Sequence, residues 1–337
     1  MKILFIGGTG TISMAITRQL VAQGEELWLL NRGNRAQELT GVHELHVDVH
    51  NEQEAVEKLR NMTFDAVADF IAFTVSDLER DYRLFAGKTK QFIFISSASA
   101  YQKPPADYLI TESTPLINPY WEYSRNKIAC EEFLMDKYRN NGFPITIVRP
   151  SHTYDERSVP VAVHGAKGSY QVLERIRQGK PVIIPGDGTT FWTLTYNTDF
   201  ASGFTGLIGN PRAIGQAVQI MSDERLSWNQ IHEIIADSLG MKLNAVHISS
   251  DFLGVAGKKY DFTGELIGDK AYPVLFDISK LRRLVPSFRT TITMAQGLRK
   301  TVEYVMSHKE CRIPDPAFDE WCDRVIAVRQ KALESFS

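Results

Sequence analysis

The chain has 337 residues, of which 43% are hydrophobic and 23% charged, the composition of an ordinary globular protein with enough apolar material for a buried core. Its 38 basic and 40 acidic residues give a net charge of -2, so no overall positive field favours nucleic acid or an anionic membrane. No stretch approaches about 18 uninterrupted apolar residues, and the N-terminus reaches glycine too early for a signal peptide, which predicts a cytoplasmic protein. The spacing of Cys130, Cys311 and Cys322 predicts reduced thiols and no metal site.

Short apolar runs alternate with amphipathic stretches over the first 150 residues. We predict helices over 11–23, 51–61, 76–86 and 121–141, and strands within KILFIG, EELWLLN, ELHVDV, DAVADFIAF, QFIFISS and ITIVRP. Apolar strands separated by helices are typical of parallel sheets that are covered on both faces. The predicted fold class is therefore α/β, a Rossmann-type doubly wound parallel sheet, with residues 1–155 as a dinucleotide-binding domain.

The alternation weakens after Pro150. We predict a helix over 168–179, a strand in FWTLTY and a helix that begins near Thr198 or Asp199. A further helix follows in SWNQIHEIIADSLG, where Ser227 and Gln230 form a capping box. We expect residues 156–337 to form mainly a smaller mixed α/β substrate-binding domain, with later strands around 191–221 returning to the first domain.

A glycine-rich segment, FIGGTGTIS, lies between the first strand and the first helix. Glycines at this place let the backbone approach a pyrophosphate at the helix N-terminus. Ser13 stands where the usual spacing has a third glycine, and it is small enough for close packing of the helix on the strand. A structural turn is the alternative. We predict that a dinucleotide contacts Gly7, Thr9, Gly10, Thr11 and Ile12.

The second strand ends in LWLLNRGNR, where an acid that binds the ribose 2′-hydroxyl is expected and Asn31 is found. Arg32 and Arg35 follow, and cations suit a 2′-phosphate, so the sequence favours NADP while NAD stays open. A solvated loop with two ordinary arginines is the alternative. Asp48 and Val49 close the third strand before the next helix, where they are placed to meet the adenine, although a carboxylate that caps that helix would look identical.

Three residues in two later motifs complete a set for hydride chemistry. Ser97 follows the fifth strand in FISSASAY, and Tyr123 and Lys127 lie one helical turn apart in WEYSRNK. With these motifs the chain resembles the NAD-dependent epimerase/dehydratase group of the extended short-chain dehydrogenase/reductase superfamily. The segments IVRPSHTY, PGDGTTFWTLTYNTDFA and GLRKTVEYV also fall in the order which that family uses.

The resemblance implies a role for each residue. Tyr123 would be the general acid/base, and its free pKa near 10 requires a nearby cation to stabilise the phenolate. Lys127 would supply that charge and hold the nicotinamide ribose, and Ser97 would hydrogen-bond the substrate oxygen. His152 would lie near the nicotinamide, with an ordinary loop histidine as the alternative. The cofactor site would include Phe70, Ile71, Ala72, Tyr123, Lys127, Pro150 and His152, and the substrate site Ser99 and Trp192.

The chain departs from the family pattern at two places. Ala98 and Ser99 follow Ser97 where 4,6-dehydratases have an Asp-Glu pair, so we do not expect dehydration of that kind. Trp192 stands where many nucleotide-sugar epimerases have an arginine that grips the substrate diphosphate. The indole would either stack on a base or sugar or belong to the core. A UDP-sugar substrate is therefore less secure than the family name suggests.

The second half of the chain, particularly AVQIMSDERLSWNQIHEIIADSLG, resembles an atypical branch that includes the chloroplast stem-loop RNA-binding proteins. Members of that branch do not all retain the Tyr-xxx-Lys pair, whereas this chain does. We therefore predict hydride transfer between NAD(P) and a secondary alcohol or ketone of a sugar-like small molecule. An epimerase and a reductase both fit, and a catalytically idle RNA-binding protein is the alternative. No membrane partner is expected, and a homodimer is left open.

Overall fold

The computed structural model describes residues 1–33 and 39–336. Its strands are β1 (Lys2–Ile6), β2 (Glu26–Asn31), β3 (Val42–His46), β4 (Ala66–Asp69), β5 (Phe92–Ile95), β6 (Leu109–Ile110), β7 (Ile145–Pro150), β8 (His152–Tyr154), β9 (Val182–Pro185), β10 (Phe191–Trp192), β11 (Leu194–Tyr196), β12 (Gln216–Ile220), β13 (Leu226–Ser227), β14 (Ala245–Ile248) and β15 (Leu275–Phe276). Its α-helices are α1 (Thr11–Ala22), α2 (Glu52–Lys58), α3 (Val75–Phe85), α4 (Glu122–Asn141), α5 (Tyr170–Arg177), α6 (Asn197–Thr205), α7 (Trp228–Ser238), α8 (Ser250–Ala256), α9 (Ser279–Leu284), α10 (Met294–Ser307) and α11 (Pro316–Glu334).

A parallel sheet in the order β12-β7-β5-β4-β1-β2-β3 forms the centre of the described chain. This order confirms the predicted α/β class with a Rossmann-type doubly wound sheet. The third strand is shifted from its prediction, because it begins at Val42 and ends at His46, which pairs with Asn31 at the end of β2. Asp48 and Val49 therefore lie in the loop beyond the strand.

Both faces of the sheet are covered because successive strand side chains point in opposite directions. In β1, Ile3 and Phe5 belong to one apolar cluster, and Leu4 and Ile6 belong to the other. All four residues of β4, like those of β5, are buried. β5 is continuous in apolar residues because neither face of a doubly covered strand meets water, while β4 ends at the buried Asp69.

The second half of the chain returns to the sheet through β12, which pairs with β7. The predicted strand FWTLTY is two short strands, β10 and β11, and these pair with β13 and β8 outside the large sheet. Thr193 separates them, and its carbonyl oxygen accepts a 3.1 Å hydrogen bond from Ser151 Oγ. The capping box that begins α7 is confirmed: Ser227 and Gln230 each accept a backbone hydrogen bond from the other.

One large apolar cluster joins the two halves, since it extends from Phe5 in β1 to Phe318 in α11. The three cysteines are free thiols. Among the helices of the described chain, none is both long and apolar enough to cross a membrane.

Candidate active site

The glycine-rich turn between β1 and α1 requires glycine at two positions. Gly7 and Gly8 have φ angles of +98° and +99°, which residues with a Cβ rarely adopt. A Cβ on Gly8 would also lie 2.6 Å from Leu29 Cδ2. Ser13, in the place of the third glycine, is buried and accepts a 2.9 Å hydrogen bond from the Gly10 amide. The serine therefore fixes the start of α1 as well as packing closely.

A cavity of about 350 Å³ lies against this turn. Of the predicted cofactor residues, those that line it are Gly7, Thr9, Gly10, Asn31, Arg32, Asp48, Val49, Phe70 and Ile71. Sequence reasoning missed further lining residues, namely Gly8, Ser13, Leu30, Gly33, Glu44, Val47 and His50. A glycine-lined cavity at a helix N-terminus fits the adenosine and pyrophosphate part of a dinucleotide.

The polar wall of this cavity contains both an arginine and an acid. Arg32 is exposed there, and Asn31 Oδ1 accepts a 2.8 Å hydrogen bond from the Gly33 amide, which forms the turn after β2. Glu44 lines the same cavity from β3, and its carboxylate lies 3.2 Å from His46 Nε2. Arg35, which we predicted beside Arg32, lies outside the described residues.

Asp48 does not cap the helix that follows it. Its carboxylate accepts a 3.0 Å hydrogen bond from the His50 amide, and the residue that caps α2 is Asn51. The capping alternative for Asp48 is therefore wrong. Its carboxylate lines the cavity with Val49, where the adenine was expected.

Tyr123 and Lys127 lie on the first two turns of α4. The ammonium of Lys127 is 5.8 Å from the centre of the Tyr123 ring and donates 2.8 Å hydrogen bonds to the carbonyl oxygens of Ala72 and Ile95. Burial lowers the pKa of Lys127 to about 8. Ala72 follows Ile71 of the first cavity, so the loop after β4 joins the dinucleotide cavity to Lys127.

Ser97 lies close enough to Tyr123 to affect the pKa of its hydroxyl. Burial raises the pKa of Tyr123 above its usual value, while a hydrogen bond with Ser97 acts to lower it and the charge of Asp269 acts to raise it. Burial outweighs the hydrogen bond, so these groups favour the neutral phenol. Stabilisation of the phenolate by Lys127 stays a prediction.

Ser99 lies behind Ser97. It is 3% exposed, and its hydroxyl accepts a 2.7 Å hydrogen bond from Ser124 and lies 2.9 Å from the Ser97 hydroxyl. Its carbonyl oxygen accepts a 2.8 Å hydrogen bond from Asn118. These contacts give Ser99 a supporting position, whereas the sequence predicted contact with substrate.

Trp192 is part of the core. It is 4% exposed and stacks on Trp228 with ring centres 5.6 Å apart. The core alternative for this residue fits the structure, because a stacked and buried indole offers little surface to a substrate.

A second cavity, of about 170 Å³, contains two of the predicted cofactor residues, Thr11 and His152. Burial lowers the pKa of His152 to about 3, and the charges of Lys270 and His164 add to this effect. The imidazole is therefore neutral near pH 7. The other predicted cofactor residues within the described chain line neither cavity, namely Ile12, Ala72, Tyr123, Lys127 and Pro150.

A buried charge network behind the loop after β4 was missed by sequence reasoning. Asp69 Oδ1 accepts hydrogen bonds of 2.5 and 2.7 Å from the amides of Ile71 and Ala72, and Asp69 Oδ2 lies 3.5 Å from Arg80. Arg80 also donates to Asp81 at 2.8 and 2.9 Å. Burial and the neighbouring Asp69 raise the pKa of Asp81 well above its usual value. The sequence feature that could have indicated this network is an aspartate at the end of a strand, followed by a helix with buried residues.

The parallel sheet, its glycine turn and the cavity there define a dinucleotide-binding protein with a Rossmann-type fold. The family model for the NAD dependent epimerase/dehydratase family matches residues 3–220, and the chain belongs to that family. Among the described residues no group of three His, Cys, Asp or Glu is placed to hold a metal ion.

Relatives and solved structures resemble most of the chain. The 2′-dehydrokanamycin reductase of Streptomyces kanamyceticus is 25% identical over 86% of this chain and 80% of its own length. The chloroplast stem-loop binding protein of 41 kDa b of Arabidopsis thaliana is 24% identical over 71% of this chain and 63% of its own length. The structure of UDP-glucuronic acid 4-epimerase from Bacillus cereus in complex with NAD matches with a TM-score of 0.70 at 19% identity, covering 91% of this chain and 99% of that chain. This structural match supports the fold alone.

Proposed function

We propose that this protein is an NAD(P)-dependent oxidoreductase that transfers a hydride at a secondary alcohol or ketone of a sugar-like substrate, with Tyr123 as the acid/base. The observation that carries the proposal is the convergence of Ser97, Tyr123 and Lys127 beside the loop that lines the dinucleotide cavity. A bound nicotinamide would supply or accept the hydride. A protein that only bound RNA would not need these three residues together.

Each of the three residues has a separate task in this proposal. Tyr123 gives a proton to the substrate oxygen during reduction and takes one during oxidation. Ser97 donates its one hydroxyl proton to that oxygen. Lys127 uses two of its three N–H bonds for Ala72 and Ile95, so one remains for a ribose hydroxyl of the cofactor. The neutral phenol of Tyr123 suits it to the acid role when ketone is reduced.

We propose NADP rather than NAD as the cofactor. Arg32 lines the cavity, and Asn31 removes the acid that would repel a 2′-phosphate. Glu44 lines the same cavity, and its negative charge would repel a 2′-phosphate and favour NAD. The balance between Arg32 and Glu44 therefore decides the preference.

The substrate class that we propose is a sugar-like ring without a required nucleotide. The 2′-dehydrokanamycin reductase spans more of this chain than the chloroplast relative does. In addition, the position expected for a diphosphate-gripping arginine holds the buried Trp192. Oxidation and reduction with exchange of the cofactor are therefore favoured over epimerisation with a retained cofactor.

The proposal is tested with the protein as purified. The copurifying cofactor and its redox state are identified by mass spectrometry and absorbance, and oxidation of kanamycin, myo-inositol, UDP-glucose and UDP-galactose is followed with NADP and with NAD. We expect reduced cofactor to form with at least one non-nucleotide alcohol, and Tyr123→Phe to abolish this. Absence of turnover for every compound, together with tight binding of single-stranded RNA, would support the RNA-binding alternative.

A further inference from the structure

Lys103 is a buried cation that contacts Asp269, and the distances of these contacts are long. Its side chain is 3% exposed, and its ammonium lies 3.3 Å from the carbonyl oxygen of Asp269 and 3.7 Å from the Asp269 carboxylate. Charge-assisted N–H···O bonds are normally about 2.7–2.9 Å long, and an ammonium has three protons to donate. Within the described chain, most of the hydrogen-bonding capacity of Lys103 is therefore unused.

Other buried cations of this protein are held more tightly. Arg175, with a side chain 1% exposed, donates 2.7 Å hydrogen bonds to Asp319 and Asp323. Lys127 donates to two carbonyl oxygens at 2.8 Å. A buried charge with incomplete partners costs free energy. Lys103 therefore contributes less to the fold than these residues do, which points to a use in binding.

Asp269 lies in an unusual helix. Residues Thr263–Lys270 form a π-helix, a rare element that is frequent at functional sites. Two of its glycines let Trp121 pack closely, because a Cβ on Gly264 would lie 2.2 Å from Trp121 Cδ1 and one on Gly268 would lie 3.0 Å from Trp121 Cβ. Trp121 in turn contacts Tyr123, with ring centres 4.9 Å apart.

Asn118 connects the π-helix to Ser99 through hydrogen bonds. Asn118 donates hydrogen bonds of 2.8 Å to the carbonyl oxygen of Ser99 and 2.7 Å to that of Gly268, the residue before Asp269. The charge of Asp269 is close enough to Tyr123 to raise the pKa of its hydroxyl. The Asp269 side chain is 17% exposed, so its carboxylate can be reached.

We propose that Lys103 and Asp269 bind a substrate hydroxyl on the ring carbon next to the carbon that reacts. A hydroxyl accepts and donates at once, so it can accept from the Lys103 ammonium while it donates to the Asp269 carboxylate. One substrate group then completes the hydrogen bonding of both residues. The substrate class is a polyhydroxylated ring with a free hydroxyl beside the reacting carbinol, and this inference deepens the proposed hydride transfer, on which it rests.

Thermal unfolding of the NADPH-loaded protein separates a binding pair from a structural ion pair. Lys103→Met should leave the Tm within about 2 °C of the wild-type value, because it removes a poorly paired buried charge and keeps the apolar stem. Arg175→Met is the matched control and should lower the Tm by more than about 5 °C. An equal fall for both variants would overturn the inference.

Ligand binding to the same NADPH-loaded protein gives a second test that needs no turnover. Calorimetric titration compares trans-cyclohexane-1,2-diol and myo-inositol, which have a neighbouring hydroxyl, with cyclohexanol, which has none. We expect cyclohexanol to bind about tenfold more weakly or worse, and Asp269→Asn to remove the difference. Equal binding of all three compounds, no binding of any, or a difference that persists in Asp269→Asn would overturn the inference. If only the proposed function failed, the protein would still bind cyclohexanol more weakly than the other two compounds but would show no turnover.

Discussion

The ammonium of Lys127 lies 5.8 Å from the centre of the Tyr123 ring, one helical turn further along α4. Two carbonyl oxygens hold this ammonium, and one of them belongs to Ala72 in the loop that continues from the dinucleotide cavity. Lys127 is therefore fixed between the cavity and the tyrosine. Lys127 is hydrogen-bonded to the cofactor loop, whereas the Tyr123 ring contacts Phe73 of the same loop with ring centres 6.3 Å apart. The two residues are separable by mutation, since Tyr123→Phe keeps this ring contact and removes only the hydroxyl.

Tyr123→Phe should lower kcat by about two orders of magnitude or more, because it removes a positioned acid/base. Its cofactor Kd should stay nearly unchanged, whereas Lys127→Met should weaken cofactor binding and activity together. Fluorescence titration with the reduced cofactor and steady-state kinetics measure the two effects. Tyr120→Phe is the matched control, since Tyr120 is an exposed tyrosine just before α4. Normal turnover by Tyr123→Phe would show that Tyr123 and Lys127 are ordinary residues on a helix face.

The cofactor preference should depend on two residues of opposite charge in the first cavity. Arg32→Ala should weaken NADP binding by roughly 1–3 kcal/mol and affect NAD much less, since it removes a charge-assisted contact to the 2′-phosphate. Glu44→Gln should change the preference in the other direction and strengthen NADP binding. Calorimetric titration of both variants with both cofactors measures this. Equal weakening of NADP and NAD by Arg32→Ala would show that this guanidinium faces solvent.

The loop after β4 should lose its shape when Asp69 is removed. Asp69→Ala leaves the amides of Ile71 and Ala72 without their acceptor, and we expect cofactor affinity to fall by about tenfold as Lys127 loses its support. Asp81→Asn is the matched control, because Asp81 belongs to the same buried network and accepts from Arg80, whereas the two loop amides donate to Asp69. Cofactor titrations of both variants provide the measurement. Similar losses for the two variants would indicate a general effect of disturbing the core.

The sequence predicted the fold better than it predicted the contacts around the candidate site. Gly7, Tyr123 and Lys127 were selected because their local spacing is itself the signal, and their roles stay predictions. Asp69 and Lys103 were missed, since their contacts are with residues far away in the chain. The contact of Ser99 with Ser124 was missed for a related reason, because no local pattern reveals it.

Acid should destabilise the protein partly through His232. This histidine is fully buried in α7, its Nδ1 lies 2.7 Å from the Trp228 carbonyl oxygen, and burial lowers its pKa to about 4 from an ordinary 6.5. Between these two values the unfolded chain binds more protons than the folded chain, so stability falls as the pH falls through this range.

His232→Gln should keep a hydrogen-bond donor for Trp228 without a titrating group. We expect it to lose roughly 3 kcal/mol less stability than the wild type on acidification from pH 6.5 to about 4. Urea unfolding at the two pH values measures the difference. His43→Gln, at an exposed histidine, should follow the wild type. If His232→Gln also followed the wild type, the buried imidazole would contribute nothing to acid sensitivity.

Free UDP and UDP-sugars should bind poorly. The expected diphosphate-gripping position is taken by Trp192, which is buried against Trp228 and cannot compensate the desolvation of two phosphate charges.

Two arginines that could replace the missing one are engaged: Arg157 forms an ion pair with Asp155, and Arg282 forms one with Asp223. Calorimetric titration of the cofactor-loaded protein with UDP, UDP-glucose and UDP-galactose should therefore give no micromolar binding, while a polyol competes better. Arg157→Ala and Arg282→Ala serve as paired variants. Micromolar binding of a UDP compound that one of these changes abolishes would show that the arginine leaves its carboxylate for the diphosphate, and would favour a nucleotide-sugar substrate.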